Sequence, residues 1–258
     1  MDYFFEFYRE AITNIEIQHC RTCCEPHWHE AIEILCTLDD DVSTLINSNE
    51  KILHPGEICV ADCYDVHSFN SNGKDVYILI IPREYLGDFL KIKGKKHLST
   101  PYVCDKNAWR TVKNIIKTLI EEKPCGLTEK GYINVILGVI CEQCGFSDFS
   151  NTDVGLMKKI LNFIEENYTE EVSLEYLAKK FGYSKYYFSR IFNKFFRFNL
   201  NEYLSRVRIR HFLLKIQNNK NADIISTAFD CGFNSWQTFY RCFKLYYGTS
   251  PKKYLMSL

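Results

Sequence analysis

Apolar residues in the C-terminal half of the chain recur at helical spacing, and they do so twice. Leu174, Leu177, Ala178 and Phe181 fall at i, i+3, i+4 and i+7, the stripe of an amphipathic helix. Gly182 follows, and a chain that reverses sharply there needs a positive φ. A second stripe then opens with Phe188, Ile191, Phe192 and Phe195. Ser173 and Ser184 stand where each helix needs a cap. From Ile224 the frame returns, with Ala228, Gly232 and Phe233 opposite Ala178, Gly182 and Tyr183. After one inserted residue, Phe239, Arg241 and Phe243 match Phe188, Arg190 and Phe192, and Tyr254 stands opposite Tyr203. A repeat at a spacing of about fifty residues predicts two copies of one unit. Here that unit is helix, glycine turn, helix. Between the copies, Asn201–Gln217 predicts a helix that buries Ile209, Phe212, Leu213 and Ile216. Ahead of them, Met157–Tyr168 predicts another, with Met157, Ile160, Leu161 and Ile164 on one face.

Before residue 150 the period changes. Tyr3–Tyr8, Ile15–His19, Ala31–Leu38, Val42–Ile46, Glu57–Ala61, His67–Ser71 and Val76–Ile81 read as short strands. Asp39-Asp40-Asp41, Asn47-Ser48-Asn49, Pro55-Gly56 and Asn72-Gly73 punctuate them, and Asn72-Gly73 predicts a hairpin. Short strands at even spacing predict a sandwich or small barrel. From Asn107 the spacing is helical again. Trp109, Val112, Ile116 and Leu119 share one face, and Thr128–Cys144 is apolar on most sides, so it needs cover. Lys91–Lys96 reads as an exposed basic loop. Ser147–Asp153, short and polar, reads as a linker.

Charge sharpens this division. The chain has 258 residues, room for two domains with a core each, and it is 46% apolar and 25% charged, a soluble globular balance. The net charge of +0 hides an asymmetry: from Gly155 onward there are 17 Lys and Arg against 8 Asp and Glu, a net +9, and the rest carries −9. A basic half attracts a phosphate backbone. The N-terminus has neither the basic region nor the apolar core of a signal peptide, and no run reaches membrane-spanning length. The 12 cysteines are therefore expected as thiols in a reducing cytoplasm. Cys20-x-x-Cys23-Cys24 and Cys141-x-x-Cys144 are isolated pairs and read as ordinary thiols, not as a zinc or redox motif.

The polar face of each second helix carries candidate chemistry. Tyr186, Ser189, Arg190 and Asn193 share one stripe, with Lys185 at its start. In the second copy the stripe is Gln237, Tyr240, Arg241 and Lys244, with Ser235 and Trp236 at its start. Arg can donate two bonds to a guanine edge, and Gln or Asn can pair with adenine. Lys, Ser and Tyr can hold phosphates. One such face would equally suit plain solvation. Two copies with matched arginines point to double-stranded DNA. In the acidic half, Pro26-His27-Trp28-His29-Glu30-Ala31-Ile32-Glu33 would set His27, His29 and Glu33 on one face of a strand, with His67 later. Imidazole and carboxylate suit zinc, iron, manganese or nickel.

These runs resemble a known family. Gly-Tyr-Ser-x-x-Tyr-Phe-Ser-Arg-x-Phe at 182–192 and Gly-Phe-x-x-x-x-x-Phe-x-Arg-x-Phe at 232–243 are similar to the two recognition helices of the AraC/XylS transcription regulators. Gly-Thr-Ser-Pro-x-x-Tyr at 248–254 is similar to the closing signature of that family. Arg197 and Leu200 depart from it, standing where the second copy has Gly248 and Pro251, and Thr227 replaces an aliphatic residue. The His-x-His-x-x-x-Glu set with a later His resembles the metal set of cupins, and the strands resemble the sensor barrel of AraC-type regulators.

The resemblance implies an α+β chain of two domains. A cupin-like effector-binding and dimerisation domain spans 1–146, with its barrel at about 1–82 and a helical pair at about 107–144. A linker at 147–154 leads to an all-α DNA-binding domain at 155–258 with two helix-turn-helix units. It also implies recognition helices in successive major grooves, a structural role for Arg208, a homodimer through the helical pair, and RNA polymerase as a further partner. The function implied is a one-component transcription regulator, not an enzyme, responding to a small-molecule effector. Three readings of His27, His29, Glu33 and His67 stay open: a divalent metal site, a polar pocket for the effector, or hydrogen-bonded barrel histidines without a ligand. One rival is a metal-dependent cupin sensor or enzyme, with those four residues as ligands, carried on a DNA-binding domain; a second is a constitutive DNA-binding protein whose barrel only dimerises.

Overall fold

The computed structural model describes residues 4–6, 14–148, 153–195, 199–219 and 221–256. The chain divides into two compact units, Met1–Ser150 and Asn151–Leu258.

The first unit opens with β1 (Phe4–Phe5), β2 (Glu16–Cys23), β3 (His27–Trp28), β4 (Ile32–Thr37), β5 (Val42–Ile46), β6 (Asn49–Leu53), β7 (Ile58–Ala61) and β8 (His67–Ile81). There follow α1 (Gly87–Lys93), β9 (His97–Leu98), β10 (Tyr102–Val103), α2 (Lys106–Glu122), α3 (Gly126–Cys144) and β11 (Phe146–Ser147). Among the described residues, β1 to β8 and β10 form one nine-stranded sheet. The long strand β8 curls it: its first residues pair with β3 and β5, and its last pair with β2 and β4. Leu35, Ile46, Leu53, Cys59, Phe69, Val76 and Ile78 fill the inside. The result is a curled, mostly antiparallel half-barrel.

The expected hairpin at Asn72-Gly73 does not form. β2 pairs along both halves of β8, with Cys23 opposite Asn70 and Arg21 opposite Asp75. The extra residues of β8 bulge out between them. Asn72 and Gly73 supply the positive φ values, 50° and 77°, that a bulge also needs. The Asn-Gly signal reports local backbone geometry, and a bulge uses the same geometry as a turn. A true two-residue turn at Asn47-Ser48 joins β5 to the unforeseen β6, with Ile46 opposite Asn49. The strand expected at Tyr3–Tyr8 lies partly outside the described residues.

The basic run also differs from expectation. Lys91 and Lys93 lie in α1, and Lys93 is 3% exposed. Its ammonium donates to both Asp62 oxygens at 2.7 and 2.9 Å. A partner 31 residues upstream, invisible to a charge count, draws the lysine inward. Asp105 caps α2 by accepting from the Ala108 amide at 2.8 Å, and Val112, Ile116 and Leu119 are buried. Trp109 ties α2 to the sheet, its indole donating to the Thr37 carbonyl at 2.9 Å. Tyr85 donates to Glu129 of α3 at 2.6 Å. Regular structure reaches both ends of the expected linker: Ser147 of β11 pairs with His97 of β9, and the next helix starts at Asp153. Residues 149–152 lie outside the described residues.

The second unit is helical throughout its described residues: α4 (Asp153–Glu166), α5 (Leu174–Phe181), α6 (Lys185–Phe195), α7 (Leu200–Asn218), α8 (Ile224–Asp230), α9 (Trp236–Tyr247) and α10 (Pro251–Leu255). The duplicated frame produces duplicated geometry. Gly182 and Gly232 end α5 and α8 at φ 77° and 86°. Beyond each glycine the next amide turns back onto the matched alanine: Tyr183 donates to the Ala178 carbonyl at 2.9 Å, and Phe233 to that of Ala228 at 3.3 Å. Phe192 meets Tyr203 edge to face at 6.2 Å, and Phe243 meets Tyr254 likewise at 5.6 Å. Thr227 sits buried in an aliphatic position because its hydroxyl donates to the Asp223 carbonyl at 2.7 Å. Leu200 starts α7 and is buried; Arg197 lies outside the described residues.

Candidate nucleic-acid interface and buried histidine centre

In α6, burial of Phe188, Ile191, Phe192 and Phe195 turns the opposite face outward. Lys185, Tyr186, Arg190 and Asn193 are exposed there, Tyr186 at 80%, and Ser189 is half-buried. Lys185 is already ion-paired with Glu175 of α5. The Arg190 guanidinium lies 5.4 Å from the Tyr187 ring, and Tyr187 stacks on Tyr183. In α9, Phe239, Cys242 and Phe243 face the core, leaving Gln237, Tyr240, Arg241 and Lys244 exposed. Among the described residues, the side chains of Gln237, Arg241 and Lys244 make no hydrogen bond or ion pair. Ser235 is occupied differently: its hydroxyl caps α9 by accepting from the Thr238 amide at 3.2 Å. Trp236 is half-buried against Phe239, 5.2 Å between rings. An open cleft of about 910 Å³ runs beside Arg241, lined also by Asn201 and Ser205 of α7. A helix pattern alone does not single out those two polar residues, because it does not say which neighbour a polar face meets.

Arg208 holds the unit together. Its guanidinium donates to the Tyr168 and Glu170 carbonyls at 2.7 and 2.8 Å, fixing the turn after α4 onto α7. Arg210 and His211 both reach Glu165 of α4, and His211 stacks on Tyr168 at 3.8 Å.

The half-barrel gathers His27, His29, Glu33 and His67, all buried, with donor atoms within 4.8 Å of one another. Simple alternation along one strand does not bring them there, since β3 ends at Trp28 and β4 starts at Ile32. Cross-strand register does: His27 pairs directly with His67. Each imidazole turns Nδ1 to a backbone carbonyl, His27 to Glu25 at 2.8 Å, His29 to Ala31 at 3.1 Å and His67 to Asp65 at 2.8 Å. A carbonyl only accepts, so each Nδ1 carries a proton, and whenever a ring is neutral it is the inward Nε2 that holds the lone pair. Those of His29 and His67 lie 3.1 and 3.5 Å from Glu33 Oε2. Among the described residues, the Nε2 of His67 is buried and faces Glu33 more loosely than that of His29 does.

Lone pairs thus face a carboxylate, and only a proton or a cation between them makes that arrangement favourable. Burial alone would raise the Glu33 carboxyl, but the His29 and His67 imidazoles, which donate to it and offset its charge when protonated, overcome burial and hold it well below the usual range. Burial lowers His27 to about 4, helped by His67, and also lowers His29. His67 is raised, its bond to Glu33 outweighing burial. Three imidazoles and one carboxylate, with every outer nitrogen anchored, fit a divalent first-row metal ion.

Two exposed recognition-type helices on a duplicated helix-turn-helix frame define a DNA-binding regulator class. A family model described as a helix-turn-helix domain matches residues 177–257. The multiple antibiotic resistance protein MarA of Escherichia coli (strain K12) is 35% identical over 107 residues, covering 42% of this chain and 84% of that protein. The transcriptional activator RhaS of Mannheimia succiniciproducens is 22% identical over 237 residues, 88% of this chain and 87% of that protein. A solved structure of ToxT from Vibrio cholerae aligns with 95% of this chain and 97% of that one, at 13% identity and a TM-score of 0.42. The chain belongs to the AraC/XylS family of DNA-binding transcription regulators. No helix among the described residues is long and apolar enough to cross a membrane.

Proposed function

We propose that this regulator reads a specific duplex site with α6 and α9, and that a divalent metal ion in the half-barrel is its effector. For DNA, the supporting observation is the pair of matched exposed arginines, Arg190 and Arg241, on two copies of one unit. Tyr186, Ser189 and Asn193 extend the first reading face, and Gln237, Tyr240 and Lys244 the second. Ser235 and Trp236 shape the start of α9, and Lys185 contributes only when it leaves Glu175. For the effector, the supporting observation is a closed set of four buried donors, with the Nε2 atoms of His29 and His67 turned onto Glu33 at 3.1 and 3.5 Å. Donor atoms that close leave space for one ion, so an ion suits the centre better than an organic molecule.

A homodimer through α3 completes the reading: Leu127 and Val135 are exposed on that otherwise apolar helix, and light scattering measures the mass. RhaS carries the name of an activator, which supports recruitment of RNA polymerase as the direction of control.

The test is selection of DNA from a random pool by the full-length chain, followed by footprinting with Zn(II) and with a chelator. A defined footprint whose affinity changes with the ion supports the proposal. Equal binding to all sequences would remove specific reading. A footprint indifferent to the ion would remove the sensing role. Turnover of a substrate by the metal-loaded chain would favour the enzyme rival.

A further inference from the structure

A second carboxylate, from a remote part of the chain, approaches one member of the histidine centre, His27. β1 runs parallel to β3, with Phe4 opposite His27 and Phe5 opposite Trp28. The Glu6 amide donates to the Trp28 carbonyl at 2.9 Å, and the Phe5 ring lies 4.4 Å from that of Trp28. This pairing sets Glu6 Oε2 3.7 Å from His27 Nε2, with both residues buried.

Two physical points bear on that distance. Donors about 2.1 Å from one ion stand about 3.0 Å apart at a right angle and about 3.4 Å apart at the tetrahedral angle. The His29–Glu33 spacing of 3.1 Å falls in that range, and the His67–Glu33 and His27–Glu6 spacings of 3.5 and 3.7 Å lie just beyond it. Charge gives the second point. A divalent ion held by three neutral imidazoles and one carboxylate leaves a net positive charge in a dry site, which is costly. A second carboxylate cancels it.

We propose that Glu6 is a fifth ligand of the metal centre, making the donor set three imidazoles and two carboxylates. This rests on the metal reading above. Five donors suit ions that accept five or six ligands over strictly tetrahedral zinc.

The test titrates the full-length chain with Co(II) alone, reading affinity by calorimetry and coordination number by visible absorption. Wild type is expected to bind one ion with the weak bands of a five- or six-coordinate site. Glu6→Gln should keep one ion, bind it about 10–100-fold more weakly, and gain the stronger bands of a four-coordinate site. An unchanged melting temperature of ion-free Glu6→Gln separates this from misfolding. If Glu6→Gln matches wild type in affinity and spectrum while His29→Ala abolishes binding, Glu6 is no ligand and the metal reading stands. If wild type binds no Co(II), both readings fall together.

Discussion

Gly232 lies so close to Arg208 that a methyl group on it would meet the guanidinium Nε at 2.9 Å. The same methyl would stand 2.8 Å from the Thr169 Cα and carbonyl oxygen. Gly182, its counterpart in the first copy, has nothing within 4 Å of that point. Both need positive φ, so both resist a side chain, but only one adds a backbone clash. Gly182→Ala is expected to cost about 1–2 kcal/mol, the left-handed penalty alone. Gly232→Ala adds overpacking and should cost about 3–5 kcal/mol. Urea unfolding of the two variants measures the difference. Equal losses would mean that the second turn relaxes freely.

The two arginines of the reading faces should behave differently from Arg208. Arg190→Ala and Arg241→Ala are each expected to weaken binding to the selected site by about 1–3 kcal/mol and to relax one base position. Lys185→Ala should change less, because Glu175 already neutralises that lysine. Arg208→Ala leaves the Tyr168 and Glu170 carbonyls without their donor, so it should lower the melting temperature and reduce affinity on all sequences alike. Binding measured on single-base variants of the site distinguishes the two patterns. Uniform loss for Arg241→Ala would make it a phosphate contact.

How far the sequence revealed the molecule depends on the range of the interaction. The helix-turn-helix units were legible because their determinants are local: apolar spacing, a capping serine, a glycine with positive φ. His29 and Glu33 lie four residues apart and could be paired by eye. Glu6 could not, since only the parallel pairing of Phe4 with His27 brings it beside His27. Lys93 looked like solvated charge for the same reason, its partner Asp62 being set by the tertiary fold. Asn72-Gly73 failed in the other direction: the local signal was real, and long-range pairing with β2 decided what it became.

The Asp62–Lys93 pair is itself testable. It is almost fully buried, and Asp62 also accepts from the Cys63 amide at 2.8 Å. The Asp62 amide in turn donates to Asp65, whose carbonyl anchors His67. Removing one charge strands the other. Lys93→Met is therefore expected to cost about 3–5 kcal/mol, and the double variant Asp62→Asn/Lys93→Met clearly less than the sum of the singles. A double-mutant cycle by thermal or urea unfolding reports the coupling. Additive losses would show that the two side chains act independently.

The histidine centre fixes the sign of the pH dependence in the metal-free chain. An unfolded imidazole titrates near about 6.5. Folding lowers His27 to about 4, chiefly by burial, and lowers His29 for the same reason. Between those values the unfolded chain binds protons that the folded chain refuses, so their contribution is full above the unfolded pKa and is lost on acidification. His67 runs the other way: its share is full below the unfolded value and is lost as pH rises through its raised folded one. The share of Glu33, whose pKa is depressed, is present above its unfolded value and disappears only in strong acid. Two lowered imidazoles oppose one raised, so metal-free stability should fall from pH 7.5 to pH 5, with His27 alone accounting for at most about 2 kcal/mol by pH 5. His27→Gln should flatten that slope. Metal-loaded protein should fall more steeply, because protons compete with the ion for each Nε2. Melting temperatures across this range, with and without chelator, measure both slopes. A metal-free chain more stable at pH 5 than at pH 7.5 would mean that the His67–Glu33 pair dominates the centre.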